Sequence, residues 1–259
     1  MSHKTLFLQQ SYEDCTRQYM ELLEKQKMPL WDYVILTASN ESQAQSYRMQ
    51  IQYRLDHGML PKSIHYAVLP DPDGKRVGSG GATLNVLRYI HQDAGSFDDK
   101  RILVIHSGGD SKRVPQYSAC GKLFSPVPRL LPNGRRSTLF DEFMISMCGV
   151  AARIRAGMLV CSGDVLLLFN PLHIDFYGSG AAALSIKEPA EVGKNHGVYR
   201  VDEQGNVGGF LHKKTVDQLH ELQAADENGN VDIDTGAVIM DTDLLKALYK
   251  LVDTPEQFD

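Results

Sequence analysis

Two glycine-rich segments in the first half of the chain carry the residue types that bind phosphate groups. The first runs from Gly78 to Thr83 (GSGGAT), and the second runs from Gly108 to Arg113 (GGDSKR). Backbone N–H groups that have no side chain beside them can approach phosphate oxygens closely, and a following helix adds the positive end of its dipole. The two segments together predict a phosphate-binding protein. The alternatives are a tight turn for the first segment and a solvated basic turn for the second.

Three cations near the second segment could hold different phosphates of one nucleotide. These are Lys112, Arg113 and, after a lone Gly121, Lys122. Each charge-assisted hydrogen bond to a phosphate contributes roughly 1.5–3 kcal/mol, so a few of them suffice to hold a triphosphate. The first segment matches neither the dinucleotide motif nor the Walker motif in its spacing. The pattern predicts a nucleotide site formed by Gly78, Ser79, Gly80, Gly81, Thr83, Gly108, Gly109, Lys112 and Gly163.

A carboxylate follows the apolar run that ends at Cys161. Asp164 comes after Ser162 and Gly163, where we expect the carboxyl end of a parallel strand and therefore the ligand crevice of an open α/β sheet. Magnesium uses one or two protein carboxylates and takes its other ligands from phosphates and water. Asp164 is therefore the predicted Mg²⁺ ligand, and a helix or turn cap is the alternative.

Composition limits the partners and the compartment. The 259 residues carry a net charge of −5, and 23% are charged residues of both signs, so we expect no nucleic acid and no membrane as a partner. No apolar run reaches the ~18 residues of a membrane span, and no signal sequence is visible. The four cysteines, at positions 15, 120, 148 and 161, form no C-x-x-C pair. This spacing favours a reducing, cytoplasmic location.

Strand and helix patterns alternate through the first two thirds of the chain. Apolar runs predict strands at 31–37, 64–69, 101–106 and 157–161, and helical periodicity predicts helices at 11–27, 40–57, 83–91 and 139–154. Such alternation indicates crossover units and a mostly parallel sheet in an α/β fold. After about Gly178, short strands at 181–186, 197–201 and 208–212 are separated by turn-rich pieces typical of hairpins. A strand at 237–240 and a helix at 244–252 follow.

The order of these motifs resembles that of sugar nucleotidyltransferases. More narrowly, residues 31–41, 70–85, 106–115 and 195–198 resemble the pyrophosphorylase part of bifunctional L-fucokinase/GDP-fucose pyrophosphorylases, and the likeness runs from about Trp31 to Met240. The long segment at 70–85 (PDPDGKRVGSGGATLN) is the most specific part of the match. The resemblance implies a nucleotidyltransferase-type, GT-A-like and Rossmann-like fold, with a mixed, mostly parallel sheet flanked by helices.

The resemblance also implies a reaction and roles for the residues. L-Fucose 1-phosphate would attack the α-phosphorus of GTP, giving GDP-L-fucose and pyrophosphate, by positioning and charge neutralisation. Arg113 would neutralise the leaving pyrophosphate, Lys122 would stabilise charge at the α-phosphate, and Mg²⁺ on Asp164 would bridge the nucleotide. The sugar phosphate would be held by Lys213, with Lys214 open as an alternative, and the sugar pocket would be lined by Asn195, His196, Gly197, Asp234, Thr235, Gly236 and, as a weaker candidate, Glu188.

The family pattern predicts one nucleotidyltransferase domain over residues 1–259. We expect a helical extension at 1–28, a nucleotide-binding half at 29–177 and a sugar-phosphate-binding half at 178–259, with the chain incomplete at its C-terminus relative to the family. No sugar-kinase phosphate loop occurs in the sequence, so any L-fucokinase activity would lie in another domain. The alternative to an active enzyme is a catalytically incomplete fragment that binds a nucleotide or a nucleotide sugar.

Overall fold

The computed structural model describes residues 3–25, 30–107, 121–131, 133–173, 176 and 179–252. The chain divides into two compact units: one combines Met1–Ala181 with Ile239–Asp259, and the other is Ala182–Val238. Within the described residues, no helix is both long enough and apolar enough to cross a membrane.

The first unit is built on four parallel strands. These are β1 (Tyr33–Ala38), β2 (His65–Pro70), β3 (Arg101–His106) and β6 (Gly157–Ser162), and they lie in the order β2-β1-β3-β6. All six residues of β1 are buried, as expected for a parallel strand covered on both faces. Because the strands are parallel and in register, their carboxyl ends meet at one edge of the sheet.

Helices cover both faces of this sheet. The helices of the first unit are α1 (His3–Lys25), α2 (Glu41–Asp56), α3 (Gly78–Ala94), α4 (Leu139–Met147) and α7 (Thr242–Tyr249). On one face, α3 and α7 pack through Val86, Leu87 and Leu245 against alternate residues of β1 and β3. A two-stranded antiparallel ribbon, β4 (Pro126–Leu130) with β5 (Arg136–Thr138), precedes α4.

The second unit is a small antiparallel structure. Strands β8 (Gly197–Val201) and β9 (Val207–His212) form a hairpin, β8 pairs with β10 (Asn230–Met240), and β10 also pairs with β7 (Ala181–Pro189). The short helices α5 (Ala190–Gly193) and α6 (Val216–Glu221) lie against one face of these strands, where Val198, Leu219 and Ile233 belong to a shared core. The last two residues of β10 belong to the first unit.

The predicted fold class is confirmed: the protein has an α/β fold with a mixed, mostly parallel sheet flanked by helices. Several element predictions were wrong in extent. Helix α1 begins at His3 instead of residue 11, α4 ends at Met147 instead of continuing to residue 154, and β10 begins at Asn230 instead of residue 237. The helix α4 is shorter because a separate 3-10 turn, Ala151–Arg153, follows it.

Two loop-like segments of the sequence lie inside regular structure. The glycine segment that begins at Gly78 forms the first turn of α3, so this helix begins five residues before the predicted start at Thr83. The segment Asp234 to Gly236, whose residue types are typical of a turn, lies within β10. The structure shows why the sequence resembles a turn there: Gly236 has a φ of 72°, and its N–H donates to Asp234 Oδ1 at 2.7 Å. The result is a local kink in a strand that continues.

Candidate functional site

A cleft of about 460 Å³ opens at the edge of the sheet in the first unit. Its walls come from the residues that end or follow β1, β2, β3 and β6 and from the first turn of α3; they include Thr37, Asp71, Arg76, Ser79, His106 and Ser162. This is the position where open α/β sheets bind ligands. A larger groove, of about 790 Å³, lies beside β2 and is lined by Arg48, Tyr66 and Tyr89. None of the predicted site residues lines that groove, so we assign the candidate site to the cleft.

His106 connects two walls of the cleft. Its Nδ1 lies 3.2 Å from Thr37 Oγ1 at the end of β1, and its Nε2 lies 3.0 Å from Thr83 Oγ1 in α3. Thr83 Oγ1 also donates to the carbonyl of Ser79 at 2.9 Å. Since that hydroxyl has a single proton, it must accept from His106 Nε2–H. His106 Nδ1 then accepts from Thr37, which defines a neutral imidazole in one tautomer.

Burial keeps this imidazole neutral. Desolvation lowers the pKa of His106 to about 4. His106 therefore contributes no positive charge to the cleft near neutral pH. What it provides is position, because the chain of bonds from Thr37 through His106 and Thr83 to Ser79 fixes the first turn of α3 against the end of β1.

The first turn of α3 directs backbone donors toward the cleft. The N–H groups of Gly78, Ser79 and Gly80 have no acceptor within the helix, and Val77 at the N-cap position supplies no side-chain hydrogen bond. Gly78 and Ser79 both line the cleft. Together with the positive end of the helix dipole, these donors form an anion site. The guanidinium group of Arg76, which also lines the cleft, adds a formal positive charge.

An ion pair lies at the end of β6. Lys122 Nζ is 3.2 Å from Asp164 Oδ2, and the side chains are 36% and 53% exposed. Burial alone would raise the pKa of Asp164, but hydrogen bonds from Ser162 and Lys122 outweigh it and the pKa is lowered. The neighbouring Gly163 donates its N–H to the carbonyl of His106 at 2.8 Å, which ties the end of β6 to β3. Asp164 is therefore an ionised, solvent-accessible carboxylate beside a lysine.

Gly121 fixes the backbone next to Lys122. Its φ is 67°, and a Cβ atom there would lie 1.8 Å from the hydroxyl oxygen of Tyr47. The Tyr47 hydroxyl in turn donates to the carbonyl of Ser107, the residue after β3, at 3.2 Å. Only glycine fits both the left-handed conformation and the contact. Tyr47 thus connects the backbone beside Lys122 to the residue that follows β3.

A buried ion pair packs against the turn that carries Lys122. Arg54 donates to both carboxylate oxygens of Asp141, at 2.7 and 3.0 Å, and the two side chains are only 5% and 6% exposed. The guanidinium lies over the ring of Phe124, which belongs to the 3-10 turn that contains Lys122. The pair therefore connects α2 and α4 to the turn that carries Lys122. Breaking one partner of such a pair is strongly destabilising.

The second unit has a face that its helices leave uncovered, which we call the polar face. Its strands alternate, so that Val198 and Ile233 point to the helices and their neighbours point away. The residues in contact on the polar face are Ser185, Lys187, Gly197, Tyr199, Phe210, Asp232 and Asp234. Tyr199 donates to Asp234 Oδ1 at 2.8 Å, and Lys187 lies 3.0 Å from Asp232. Burial raises the pKa of the Tyr199 hydroxyl, and the hydrogen bond to Asp234 raises it further.

Most of the predicted sugar residues lie near one another in this unit. Gly197 is adjacent to Asp234, and Lys213 donates its backbone N–H to the carbonyl of His196 at 3.0 Å. Asn195 precedes His196 in the same turn, and Gly236 is bonded to Asp234. Lys213 is exposed and has a φ of 49°, an uncommon conformation for lysine.

Two residues of the predicted sugar set lie elsewhere. Thr235 donates to the carbonyl of Leu184 at 2.6 Å, which secures the pairing of β10 with β7. Glu188 follows Lys187 on β7, so strand alternation directs it away from the face where Lys187 meets Asp232. In the nucleotide set, Gly108, Gly109 and Lys112 lie outside the described residues, and so does the predicted catalytic residue Arg113.

Comparison with known proteins identifies the family. The model of the fucose pyrophosphorylase domain matches residues 94–258, which is well over half of the chain. The chain belongs to the fucose pyrophosphorylase family. It is 31% identical over 247 residues to the bifunctional fucokinase/GDP-fucose pyrophosphorylase of Arabidopsis thaliana, covering 82% of this chain and 23% of that protein. It is 32% and 30% identical to the fucose-1-phosphate guanylyltransferases of Mus musculus and Homo sapiens, covering 75% and 77% of this chain and 35% of each relative.

The chain spans between about a quarter and a third of the length of these relatives. The family model covers Lys122, Asp164 and the whole second unit. The matched range begins after the first turn of α3, so some residues of the cleft lie inside this range and others lie outside it.

The structure adds cleft residues that the sequence motifs did not single out as site residues, among them Thr37, Asp71, Arg76 and His106. Arg76 and Asp71 lie in the sequence stretch just before the glycines, where the family likeness is most specific, and this proximity could have identified them. Thr37 and His106 end buried strands of the fucose pyrophosphorylase fold, and only the pairing of β1 with β3 brings them together. No sequence motif signals that contact.

Proposed function

We propose that the chain transfers a guanylyl group from GTP to L-fucose 1-phosphate. Two observations support the proposal. The relatives in mouse and human carry the name fucose-1-phosphate guanylyltransferase, and the described residues form a site of suitable chemistry. The observation that carries the proposal is the Lys122–Asp164 pair at the end of β6, on the same sheet edge as the anion site of α3. Together they bring a lysine, a carboxylate and free backbone donors to one sheet edge.

The reaction is a substitution at phosphorus. A phosphate oxygen of L-fucose 1-phosphate forms a bond to the α-phosphorus of GTP, the bond from that phosphorus to the bridging oxygen of the β-phosphate breaks, and pyrophosphate leaves with the electron pair. No protein nucleophile is needed, so the protein contributes position and charge neutralisation. The first turn of α3 and Arg76 bind phosphate oxygens, and Lys122 stabilises the charge that builds at the α-phosphate.

Residues outside the described ranges complete the proposal. Arg113 neutralises the leaving pyrophosphate, and Gly108, Gly109 and Lys112 bind the nucleotide.

In the second unit, Lys213 or Lys214 holds the sugar phosphate, and Asn195, His196, Gly197 and Asp234 contact the sugar. Asp234 keeps one carboxylate oxygen oriented by Tyr199 and Gly236.

Magnesium is part of the proposal, and the residues present fit it. Asp164 is ionised and 53% exposed, and Ser162 supplies a hydroxyl 2.8 Å from the carboxylate. Since Mg²⁺ needs few protein ligands when phosphates and water supply the others, one such carboxylate is sufficient. Among the described residues, no group of three or more His, Cys, Asp or Glu side chains could hold a metal ion. When bound, the ion neutralises charge on the phosphates of the nucleotide.

We place this reaction in the cytoplasm. Three cysteines of the described residues, Cys15, Cys148 and Cys161, are buried free thiols. Unpaired thiols are typical of proteins in a reducing compartment.

The test is a turnover assay with a binding assay beside it. The protein is mixed with GTP, Mg²⁺ and L-fucose 1-phosphate, and pyrophosphate release is measured for the wild type and for Asp164→Asn, with Asp243→Asn in the exposed first turn of α7 as the matched control. We expect release by the wild type and the control, and loss of at least ~10²-fold in Asp164→Asn, since the lost carboxylate is the proposed ligand of the Mg²⁺ that neutralises charge on the phosphates. Absence of release from a folded wild type contradicts the proposal. Binding of GDP-fucose without release would instead identify a binding fragment.

A further inference from the structure

The sheet edge beside the cleft carries one carboxylate after each of its outer strands, and of these two only Asp71 lines the cleft. Asp71 follows β2 and Asp164 follows β6, and the strand order β2-β1-β3-β6 places three strand spacings between them. Adjacent strands lie about 4.8 Å apart, so these two strand ends are separated by about 14 Å. Asp71 therefore cannot share a cation with Asp164. It belongs to the end of the cleft farthest from the proposed phosphoryl chemistry.

The carboxylate of Asp71 is available to a ligand. Asp71 begins the short 3-10 turn Pro72–Gly74, at a position where aspartate ordinarily caps its own turn, yet its side chain makes no capping hydrogen bond. Within the described part of the chain, no hydrogen bond reaches this carboxylate. Its backbone N–H donates to the carbonyl of Ala38 at 2.8 Å, which fixes the residue beside the end of β1. The partly buried carboxylate thus lines the cleft without serving the local turn.

An ionised carboxylate is unfavourable at the position of Asp71. Burial raises the pKa of Asp71, and the charge of Arg76 opposes that shift only in part. A negative charge in a cleft that binds phosphates also repels the ligand, unless it meets hydrogen-bond donors of that ligand. The phosphates of a nucleotide offer no such donors, whereas its ribose hydroxyls and its base do. A test that varies only the base separates these two partners.

The bases differ in what they offer a carboxylate. Guanine presents two adjacent donors, N1–H and the 2-amino group, which match the two oxygens of a carboxylate. Adenine has an unprotonated N1 at the same place, and uracil and cytosine offer no pair of adjacent donors. The amide and hydroxyl of Asn40 and Ser39, which also line the cleft, are polar and uncharged. A charged acceptor among neutral polar groups suits the Watson–Crick edge of guanine.

We propose that Asp71 reads the guanine base, with its carboxylate accepting hydrogen bonds from N1–H and the 2-amino group. The nucleoside then lies along the cleft, with the base at the β2 end and the α-phosphate at the β6 end. This inference rests on the proposed function, because it requires a guanine nucleotide as the bound substrate. Asp71 is a specificity-determining residue in this account.

The experiment compares four nucleotides on three proteins. Dissociation constants for GTP, ITP, XTP and ATP are measured by calorimetry for the wild type and for Asp71→Asn, with Asp73→Asn as the matched control. Asp73 lies two residues further on in the same turn and is exposed, and its φ of 54° suits asparagine. Inosine lacks the 2-amino group, and xanthosine carries a carbonyl there, which an asparagine amide can bind as a donor while accepting from N1–H.

For the wild type we expect GTP to bind roughly 10-fold or more tightly than ITP, which corresponds to one hydrogen bond to a charged group. For Asp71→Asn we expect GTP binding to weaken roughly 100-fold and XTP to bind at least as tightly as GTP, while Asp73→Asn keeps the wild-type order. Gain of XTP binding cannot arise from a misfolded variant.

Two results would overturn the inference. If the wild type binds GTP and ITP equally, Asp71 does not accept a hydrogen bond from the 2-amino group, and no variant is needed to show this. An unchanged nucleotide order in a folded Asp71→Asn protein shows that the residue does not read the base. In both cases GTP binding by the wild type leaves the proposed function standing, whereas a wild type that binds no guanine nucleotide sinks both proposals.

Discussion

The cleft of the first unit and the polar face of the second unit hold their polar groups in different ways. In the cleft, the neutral His106 joins Thr37 to Thr83 through a chain of hydrogen bonds. On the polar face, Lys187 and Asp232 form an ion pair in which the lysine side chain is 57% exposed and the aspartate side chain is 18% exposed. The cleft is therefore fixed before a ligand arrives, and the polar face can adjust by side-chain rotation.

The difference follows from the two kinds of sheet. Ends of parallel strands bring backbone groups and short side chains from distant segments to one edge, and burial then fixes them. An antiparallel hairpin instead presents alternate side chains on an open face. We therefore expect substitutions at the packed positions of the first unit to lower stability and substitution of the more exposed Lys122 to change the reaction with little effect on stability. We expect variants of the polar face to change sugar-phosphate binding with little effect on stability. Four variants test this contrast.

The largest effect is expected at Lys122. Replacing it with methionine removes the charge proposed to stabilise the α-phosphate, and we expect kcat to fall at least ~10²-fold while KM for GTP changes little. Stability should change by less than ~1 kcal/mol, because the pair with Asp164 is exposed. Steady-state kinetics and urea unfolding measure both quantities, with the exposed Lys62→Met as the control. A kcat within a factor of three of the wild type would remove Lys122 from the reaction.

Next in size is Gly121→Ala. An alanine Cβ would collide with the Tyr47 ring and hydroxyl, so we expect the free energy of unfolding to drop by about 3 kcal/mol or more. Gly134→Ala is the matched control, because Gly134 has a similar φ of 78° with nothing within 4 Å of its added Cβ. It should cost only about 1–2 kcal/mol. Equal losses in the two variants would show that the Tyr47 contact does not constrain the Lys122 turn.

His106 should give the first unit a dependence of stability on pH. Its pKa is about 4 in the folded protein and near 6.5 when unfolded, so the unfolded chain binds more protons between these values. Stability contributed by neutral His106 is present above pH 6.5 and is lost as pH falls toward 4, by roughly 3 kcal/mol at most. His106→Gln should flatten the dependence in urea unfolding from pH 4.5 to 7, whereas exposed His65→Gln should not. An unchanged slope in His106→Gln contradicts the neutral bridge.

Tyr199→Phe should have the smallest effect and should separate the two regions most clearly. It removes the hydrogen bond that orients Asp234, so we expect stability to fall by about 1 kcal/mol and KM for L-fucose 1-phosphate to rise several-fold. KM for GTP should stay unchanged, because the cleft is untouched. Kinetics with each substrate varied in turn measure the two constants. A rise confined to the GTP constant would reverse the assignment of the two regions.

The strands of the first unit could be predicted from the sequence because their apolar runs are short, continuous and separated by helical periodicity. Lys122 and Asp164 could be paired as candidates because each follows a recognisable glycine. The start of α3 was misjudged, since consecutive glycines favour loops by propensity while the bonds of Thr83 and His106 hold them in a helical turn. Asp71 and His106 depend on strand order, which local patterns do not encode.

The most direct measurement of the central claim is the structure of the complex with GTP and Mg²⁺. We expect the triphosphate at the first turn of α3 and beside Lys122, with the base at the β2 end next to Asp71. A nucleotide bound in the groove lined by Arg48 and Tyr89, or one whose phosphates lie away from both α3 and Asp164, would contradict the account.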